Sequence, residues 1–168
     1  MKSSVSFKIA VALCCVMALA ACSKKNTPDL ESSAANGLGA GQNLPGSAEQ
    51  FAAEVGDRIF FAEDQSTLSP EAQETLRRQA QWLQQYPNVT IQVEGHADER
   101  GTREYNIALS ARRATAAREF LIAQGVEKGR VSSIAYGKER PAALCDAEQC
   151  WSQNRRTVTV ITGGARTS

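Results

Sequence analysis

The chain has 168 residues, of which 42% are hydrophobic and 22% are charged, as in ordinary globular proteins. This length allows one modest domain with some additional chain. The formal net charge of +1 gives no general electrostatic reason to expect binding to DNA, RNA or anionic lipid. One histidine and five cysteines leave little material for a metal site with several protein ligands.

The first 21 residues differ in character from the rest. A short basic region containing Lys2 and Lys8 precedes Ile9–Ala21, a run of 13 residues without a polar side chain. As a helix this run would span about 20 Å, which is shorter than the ~30 Å hydrocarbon core of a bilayer. A basic start, a short apolar run and small residues at its end are typical of a secretory signal peptide. We therefore predict a signal peptide at residues 1–21; the alternative is a buried apolar helix.

The end of the apolar run, Leu19-Ala20-Ala21-Cys22, resembles the lipobox of bacterial lipoproteins. In that family the cysteine sulfur receives a diacylglyceryl group, the chain is cut before the cysteine, and the new amine is acylated. The resemblance implies lipidation of Cys22, and several acyl chains are what stable anchoring to a membrane requires. Ser23, rather than an aspartate, follows the cysteine, which in this family points to the outer membrane with the domain in the periplasm.

Removal of Lys2 and Lys8 with the signal peptide leaves 147 residues with 17 Lys+Arg against 18 Asp+Glu, a net charge of −1. Export and this charge both argue against a nucleic-acid-binding protein. Residues 22–50 hold four of the 12 glycines and two of the five prolines, without a sustained apolar period. We predict a lipidated flexible linker at 22–50, with a coil-like span of about 30 Å, and a folded domain at 51–168.

The five cysteines fall into three groups. Cys14 and Cys15 leave with the signal peptide, and Cys22 is the lipidation site. Cys145 and Cys150 remain in an oxidising compartment, where thiols tend to pair. Their four intervening residues allow a disulfide only if the loop brings the two Cα atoms within about 7 Å. We predict a disulfide; the alternative is two reduced thiols packed under a loop.

Periodicity in the domain predicts alternating strands and helices. Asp57–Phe61 is a short strand candidate, and Ser69-Pro70-Glu71 then supplies an N-cap, a first-turn proline and a first-turn acid. The following helix has apolar residues at helical spacing and stops at Tyr86-Pro87-Asn88. Alternation from Val89 to Val93 predicts a half-buried strand that ends at Gly95.

The second half of the domain continues this order. A helix is predicted from Arg103 to Ala123, with Gly125 at the place of a C-terminal cap and an apolar stripe formed by Ile107, Ala111, Ala114 and Leu121. Further elements are a strand at Val131–Tyr136, a short helix at Ala147–Asn154 and a strand at Thr157–Ile161. The fold class is α+β, with two main helices packed on one face of a four-stranded mixed sheet in the order β-α-β-α-β-β.

Candidate binding groups lie in the loop His96–Gly101, which follows a strand and opens a helix. On that helix Asn106, Ser110 and Arg113 share one face, bordered by Leu109. This face is either a solvated surface or, together with the acidic loop, part of a site.

Asp98 can stand near Arg113, because the helix from Arg103 to Arg113 is about 15 Å long and a loop of about six residues can span up to roughly 20 Å. If both line one pocket, they form the complement of a zwitterion, with a carboxylate for an ammonium and a guanidinium fork for a carboxylate. The alternative is a salt bridge between the two. His96 is expected to be neutral and hydrogen-bonded, supporting the loop, rather than to bind metal or transfer protons.

The run GHADERGTREYNIALSARRA at residues 95–114 resembles the signature of the OmpA-like peptidoglycan-binding domains. The resemblance extends over about residues 55–162 and is strongest to the lipoprotein members of that family. It implies noncovalent binding of the meso-diaminopimelate in the peptidoglycan stem peptide, without enzymatic activity and without a cofactor other than the lipid on Cys22. The ligand contacts that it implies are Phe61, Asp64, Asp98, Arg100, Leu109 and Arg113, with Asn106 in support.

The resemblance also implies partners and a cellular role. Glu99 and its loop are similar to surfaces through which the lipoprotein members contact TolB, the propeller protein of the Tol-Pal system, which serves envelope integrity and constriction at cell division. A different hypothesis is a periplasmic lipoprotein hydrolase that acts on peptidoglycan, with His96 and the nearby acids as catalysts.

Overall fold

The computed structural model describes residues 44–167 of the chain. The predicted signal peptide at 1–21, the lipidation of Cys22 and the predicted linker up to residue 43 lie outside the described residues and stay predictions. None of the helices within residues 44–167 is both long and apolar enough to span a membrane.

The described residues form alternating helices and strands in the predicted order, which confirms the α+β fold. The chain-order bounds are α1 Ala48–Gln50, a π-helical turn Phe51–Gly56, β1 Arg58–Phe60, α2 Pro70–Gln85, β2 Thr90–Gly95, α3 Arg103–Ala123, a 3-10 turn Lys128–Arg130, β3 Val131–Ala135, α4 Glu148–Asn154 and β4 Arg156–Gly163. The bounds of α3 are those predicted. The predicted β1 and β3 were each too long, whereas the predicted β4 was too short.

The strands form one mixed sheet in the order β1-β4-β2-β3. The last strand of the chain, β4, lies inside the sheet and is antiparallel to both β1 and β2, whereas β2 and β3 are parallel and joined through α3. Because β1 and β2 oppose the same strand, they run in the same direction. Their C-terminal ends, and the start of β4, therefore lie at one edge of the sheet, where the loops before α2 and α3 emerge.

The core lies between the sheet and the two long helices. Strand β2 alternates between buried and half-buried residues, with Ile91 and Val93 directed to the core, as predicted. Helix α2 buries Leu76 and Leu83, and the C-terminal half of α3 buries Ala117 and Leu121. Helix α3 packs on β2, β3 and β4, and α2 packs on β1 and α3. Trp82 of α2 lies in this core between the rings of Phe51 and Tyr86.

The predicted apolar stripe of α3 is wrong in the first half of the helix. Ile107 is exposed and Ala111 is only half-buried. The residues that this half buries are instead Asn106, Leu109, Ser110 and Arg113. The physical reason is that this part of α3 faces the two loops at the sheet edge, whose backbone polar groups need polar partners, and only its second half faces the apolar core.

The ends of the long helices follow the predicted capping residues. The Ser69 hydroxyl accepts a hydrogen bond from the Ala72 N–H at 3.2 Å, so it caps α2. After α3, Gly125 has a φ of +95° and its N–H donates to the Ile122 carbonyl at 2.9 Å. This left-handed conformation is the one in which glycine ends helices.

The folded part of the chain begins before residue 51. Ser47 is buried and caps α1 through the Gln50 N–H. The Gln50 side-chain oxygen accepts hydrogen bonds from the Gly46 N–H and the Trp82 indole. Residues 46–50, which the sequence composition placed in the linker, therefore belong to the domain.

Gly95 ends β2 where the strand touches the backbone of α3. A Cβ atom at this position would lie 2.0 Å from the Ser110 carbonyl oxygen. We expect Gly95→Ala to lower the free energy of unfolding by about 1–3 kcal/mol, because the strand or the helix must shift. The measurement is urea unfolding. Gly129→Ala is the control, because a Cβ there meets no atom within 4 Å; an equal effect in both variants would contradict the close-approach explanation.

Candidate ligand-binding site

A cleft of about 220 Å³ opens where the loops after β1 and β2 meet the N-terminal half of α3. Six of the seven residues predicted to form the site line this cleft: Asp64, Asp98, Arg100, Asn106, Leu109 and Arg113. The seventh, Phe61, lies under the cleft, buried, with its ring centroid 5.2 Å from the Arg113 guanidinium carbon. The cleft also contains Glu63, Gly101 and Tyr105, which sequence reasoning did not include.

Arg113 is fully buried, with an exposed fraction of 0%. Its guanidinium donates to three backbone carbonyls, those of Gln65 at 2.7 Å, His96 at 3.0 Å and Ala62 at 3.2 Å. Burial lowers its pKa to about 10, partly offset by the charge of Asp98, so the group stays protonated at neutral pH. Two of its five N–H groups have no acceptor within residues 44–167.

The loop that carries Asp98 is held at both ends. Thr102 caps α3 by accepting a hydrogen bond from the Tyr105 N–H. The Asn106 side chain donates to the Arg100 carbonyl at 2.7 Å, which explains why this polar residue is buried inside the helix face. Gly101 has a φ of +80°, a left-handed conformation suited to glycine. The loop therefore presents Asp98 from a fixed backbone.

Asp98 is buried to 8% exposure and interacts with two arginines. Arg100 donates to it at 2.7 Å from Nη2, and Arg155 approaches at 3.4 Å. Burial acts to raise the pKa of Asp98, but the hydrogen bonds from Arg100 outweigh it, and the pKa lies below its ordinary value. The carboxyl is therefore ionised at neutral pH.

The structure separates the two alternatives left open for this face of α3. The face is not solvated, since Asn106, Ser110 and Arg113 are each at most 2% exposed. Nor do Asp98 and Arg113 form a salt bridge within residues 44–167, because Asp98 pairs with Arg100 and Arg155. Both side chains line the same cleft, one as an ionised acid and the other as a charged base.

The β1–α2 loop adds two acids to the cleft, Glu63 and Asp64. Asp64 has a φ of 58°, which is unusual for a residue other than glycine. Its carboxylate accepts a hydrogen bond from the hydroxyl of Tyr105 on α3. The left-handed backbone turns Asp64 toward α3, so this contact joins the loop to the first turn of the helix.

The predicted support of the loop by a neutral, hydrogen-bonded His96 comes from its backbone and not from its ring. His96 is 2% exposed, and neither ring nitrogen has a hydrogen-bond partner within the described residues. The backbone of His96 supports the loop instead, because its N–H donates to the Arg156 carbonyl and its carbonyl accepts from Arg113. Burial and the charges of Arg156 and Arg140 lower the pKa of His96 to about 4, so the ring is neutral.

Helix α4 lies beside the cleft and was predicted within one residue. Cys145 and Cys150 form a disulfide in the structure, with Cα atoms 5.6 Å apart. Trp151, which the sequence analysis did not connect with the site, donates from its indole N–H to Glu99 at 2.8 Å, and the Arg100 guanidinium lies over its ring. Sequence reasoning missed this residue because it lies 52 positions from Glu99 and carries no periodic signal.

Between residues 44 and 167 no group of three or more His, Cys, Asp or Glu side chains is arranged to hold a metal ion.

The chain matches a known protein family and is similar in sequence to several of its members. Residues 60–155 match the OmpA family, and over 159 residues the chain is 57% identical to the peptidoglycan-associated lipoprotein of Brucella melitensis, covering 94% of each chain. The chain belongs to the peptidoglycan-associated lipoproteins of the OmpA family. It is also 38% identical over 143 residues to the protein of that name from Haemophilus influenzae, covering 85% of this chain and 90% of the relative.

Solved structures show the same fold. The crystal structure of the peptidoglycan-associated lipoprotein from Burkholderia pseudomallei has a TM-score of 0.64 and 35% identity, covering 66% of this chain and 96% of that one. The C-terminal domain of Helicobacter pylori MotB has a TM-score of 0.60 and 25% identity, covering 64% of this chain and 84% of that one. The family and fold inferred from residues 95–114 are thus confirmed; the assignment of ligand contacts stays a prediction.

The buried His96 predicts a pH dependence of stability. A histidine whose folded pKa lies near 4, below the ordinary 6.5, favours folding while it is neutral, so this contribution is complete above about pH 6.5. It is lost as the pH falls from 6.5 to 4, by on the order of 3 kcal/mol, since the unfolded chain takes up the proton first. The Glu94 carboxylate lies 3.7 Å from the ring Nε2 and can pair with the ring only once the ring is protonated.

The measurement is urea unfolding of the wild type and His96→Asn between pH 6.5 and 4. We expect the free energy of unfolding to fall less steeply in His96→Asn. Parallel pH profiles for the two proteins would contradict the assignment of the loss to His96.

Proposed function

We propose that the protein is an outer-membrane lipoprotein whose periplasmic domain binds peptidoglycan noncovalently, through the meso-diaminopimelate of the stem peptide. The observation that carries this proposal is that one cleft contains a fully buried, charged Arg113 and an ionised Asp98. Asp98 forms its salt bridges with Arg100 and Arg155 rather than with Arg113. The names of the relatives support peptidoglycan as the partner.

The free end of diaminopimelate carries an ammonium and a carboxylate on one carbon. We assign the carboxylate to the two unused N–H groups of Arg113, and the ammonium to Asp98. A guanidinium that is already held by three carbonyls loses little further freedom on binding, so its hydrogen bonds are preorganised. Neither group alone would distinguish an amino-acid end from a simple ion.

Arg100 and Glu63 lie at the rim of the cleft, next to Asp98. Arg100 bridges Asp98 and Glu63, with Nη–carboxylate distances of 2.7 Å to each. The ligand ammonium then shares the Asp98 carboxylate with Arg100, which stays paired with the exposed Glu63. Asp98 is thereby compensated both with and without ligand.

In the proposed role the lipid on Cys22 holds the outer membrane, residues 22–43 act as a spacer, and the domain holds the cell wall. The relatives that are named lipoproteins support this anchor. We further propose TolB as a protein partner that contacts Glu99 and the surrounding loop, as part of the Tol-Pal system in envelope integrity and division. Glu99 is exposed beside the cleft, so such a contact is sterically available.

A binding role is better supported than a hydrolytic one. His96, the base that a peptidoglycan hydrolase would use here, is 2% exposed and lies outside the set of residues that line the cleft. Its pKa near 4 also leaves it a weak base.

Binding should depend on the zwitterion. We expect the purified protein to bind a muramyl tripeptide ending in meso-diaminopimelate at least about tenfold more tightly than the same peptide ending in L-lysine, because lysine leaves the buried Arg113 N–H groups without an acceptor. Calorimetric titration measures this ratio. Changing the ligand is a cleaner test than Arg113→Ala, which would also deprive three carbonyls of their donor.

Asp98→Asn should weaken retention on meso-diaminopimelate sacculi by about five- to 150-fold, the range expected from losing 1–3 kcal/mol of charge-assisted bonding. Glu139→Gln is the matched control, an exposed acid that pairs with Arg103 outside the cleft. Equal retention of both variants would refute the assignment of Asp98. Release of soluble fragments from the sacculi would instead support the hydrolase.

The lipid anchor is tested independently of the cleft. We expect cells grown with radiolabelled palmitate to label the wild-type protein and not Cys22→Ala, because the cysteine sulfur and its new amine are the proposed acylation sites. Label retained by Cys22→Ala would refute lipidation at this residue.

A further inference from the structure

Trp151 holds two consecutive residues of the loop that carries Asp98. Its indole N–H donates to the Glu99 carboxylate at 2.8 Å, and its ring centroid lies 4.2 Å from the Arg100 guanidinium carbon. One rigid side chain from a distant part of the chain therefore contacts two successive residues of this loop. A guanidinium over an aromatic face is an attractive arrangement that also fixes the orientation of the guanidinium.

These contacts of Trp151 lie next to Asp98, the residue proposed to bind the ligand ammonium. Arg100 donates to Asp98 from its Nη2 and to Glu63 from its Nη1. Trp151 itself does not belong to the residues that line the cleft. Any effect of Trp151 on ligand binding must therefore pass through Glu99 and Arg100.

The position of Trp151 depends on tertiary contacts rather than on its own helix. Helix α4 has seven residues and its N-cap makes no side-chain hydrogen bond, and a helix this short is not stable alone. The Cys145–Cys150 disulfide ties the residue before Trp151 to the preceding loop. At the other end of α4, the buried Asn154 side chain bonds the backbone of Ala142 and Ala143.

Glu148 extends the same network to the acid of the cleft. Its carboxylate pairs with Arg155, and Arg155 in turn approaches Asp98. Helix α4 is therefore linked to Asp98 on two sides, through Trp151 and Arg100 and through Glu148 and Arg155.

We propose that Trp151 is a positioning residue for the cleft, and that the disulfide-tied helix α4 holds it in place to orient Arg100 and Asp98 for the ligand. This inference rests on the proposed function, because it concerns the same cleft. It adds a residue that contacts neither the ligand nor the core of the domain, and it gives the disulfide a role in binding.

The test compares variants by titration with the meso-diaminopimelate muramyl tripeptide. Trp151→Ala should weaken binding about five- to tenfold, through loss of one hydrogen bond and one cation–π contact. Trp151→Phe keeps a ring under Arg100 but loses the N–H, so it should recover part of the affinity. Leu144→Ala is the matched control from the same segment, since Leu144 is 84% exposed, and it should bind as the wild type does.

The role of the disulfide is tested with the double variant Cys145→Ser/Cys150→Ser. We expect it to weaken binding by a similar factor, and we expect Trp151→Ala in that background to cause little further loss, because both changes act through the same contact. Amide hydrogen exchange of residues 98–101 should be faster in each of these variants, and unchanged in Leu144→Ala.

Wild-type affinity in Trp151→Ala would overturn the positioning role while leaving the proposed function intact. Weaker binding with unchanged exchange at residues 98–101 would also overturn it, since Trp151 would then act other than through the loop. If the wild type does not bind the tripeptide, the proposed function fails. The exchange data then decide the positioning role alone, with faster exchange in Trp151→Ala supporting it and unchanged exchange overturning it.

Discussion

The buried guanidinium of Arg113 is the interaction on which the cleft depends. Removing a charge from water is costly, and Arg113 offsets much of this cost by donating to the carbonyls of Ala62, Gln65 and His96. Those carbonyls belong to the two loops that leave the same edge of the sheet. The Arg113 side chain of α3 therefore holds both loops by hydrogen bonds. Its remaining N–H groups are available to a ligand in the cleft.

This arrangement explains why α3 changes character along its length. Its second half packs on the sheet and is apolar, whereas its first half supports polar loops and buries Asn106, Ser110 and Arg113. A helix with a polar buried half cannot carry a single apolar stripe. Ile107 is consequently exposed, although its spacing from Ala111 and Ala114 matches a core face.

The elements and the central part of the site were predictable for different reasons. Helix α2 and strand β2 have local signals, namely the Ser69 cap and the alternation up to Val93, that do not depend on distant residues. The set of ligand contacts came from the resemblance to the OmpA-like domains, whereas the nearness of Asp98 to Arg113 was also expected from the reach of the loop. Contacts such as Trp151 with Glu99 were not predictable, because they depend on how segments 52 residues apart are placed by the sheet topology.

The charges of the cleft constrain which ligand it suits. Three carboxylates line it, and the two guanidiniums of Arg100 and Arg113 face them, while a third, that of Arg155, contacts Asp98 from behind. The site is thus close to balanced before any ligand enters. A simple cation or anion would offer a partner to only one of the two buried groups, Asp98 and Arg113, and a desolvated charge without a partner is expensive. A zwitterion adds no net charge and offers each buried group an opposite partner, so the same balance of charge that stabilises the cleft without ligand supports the proposal of an amino-acid end over a simple ion.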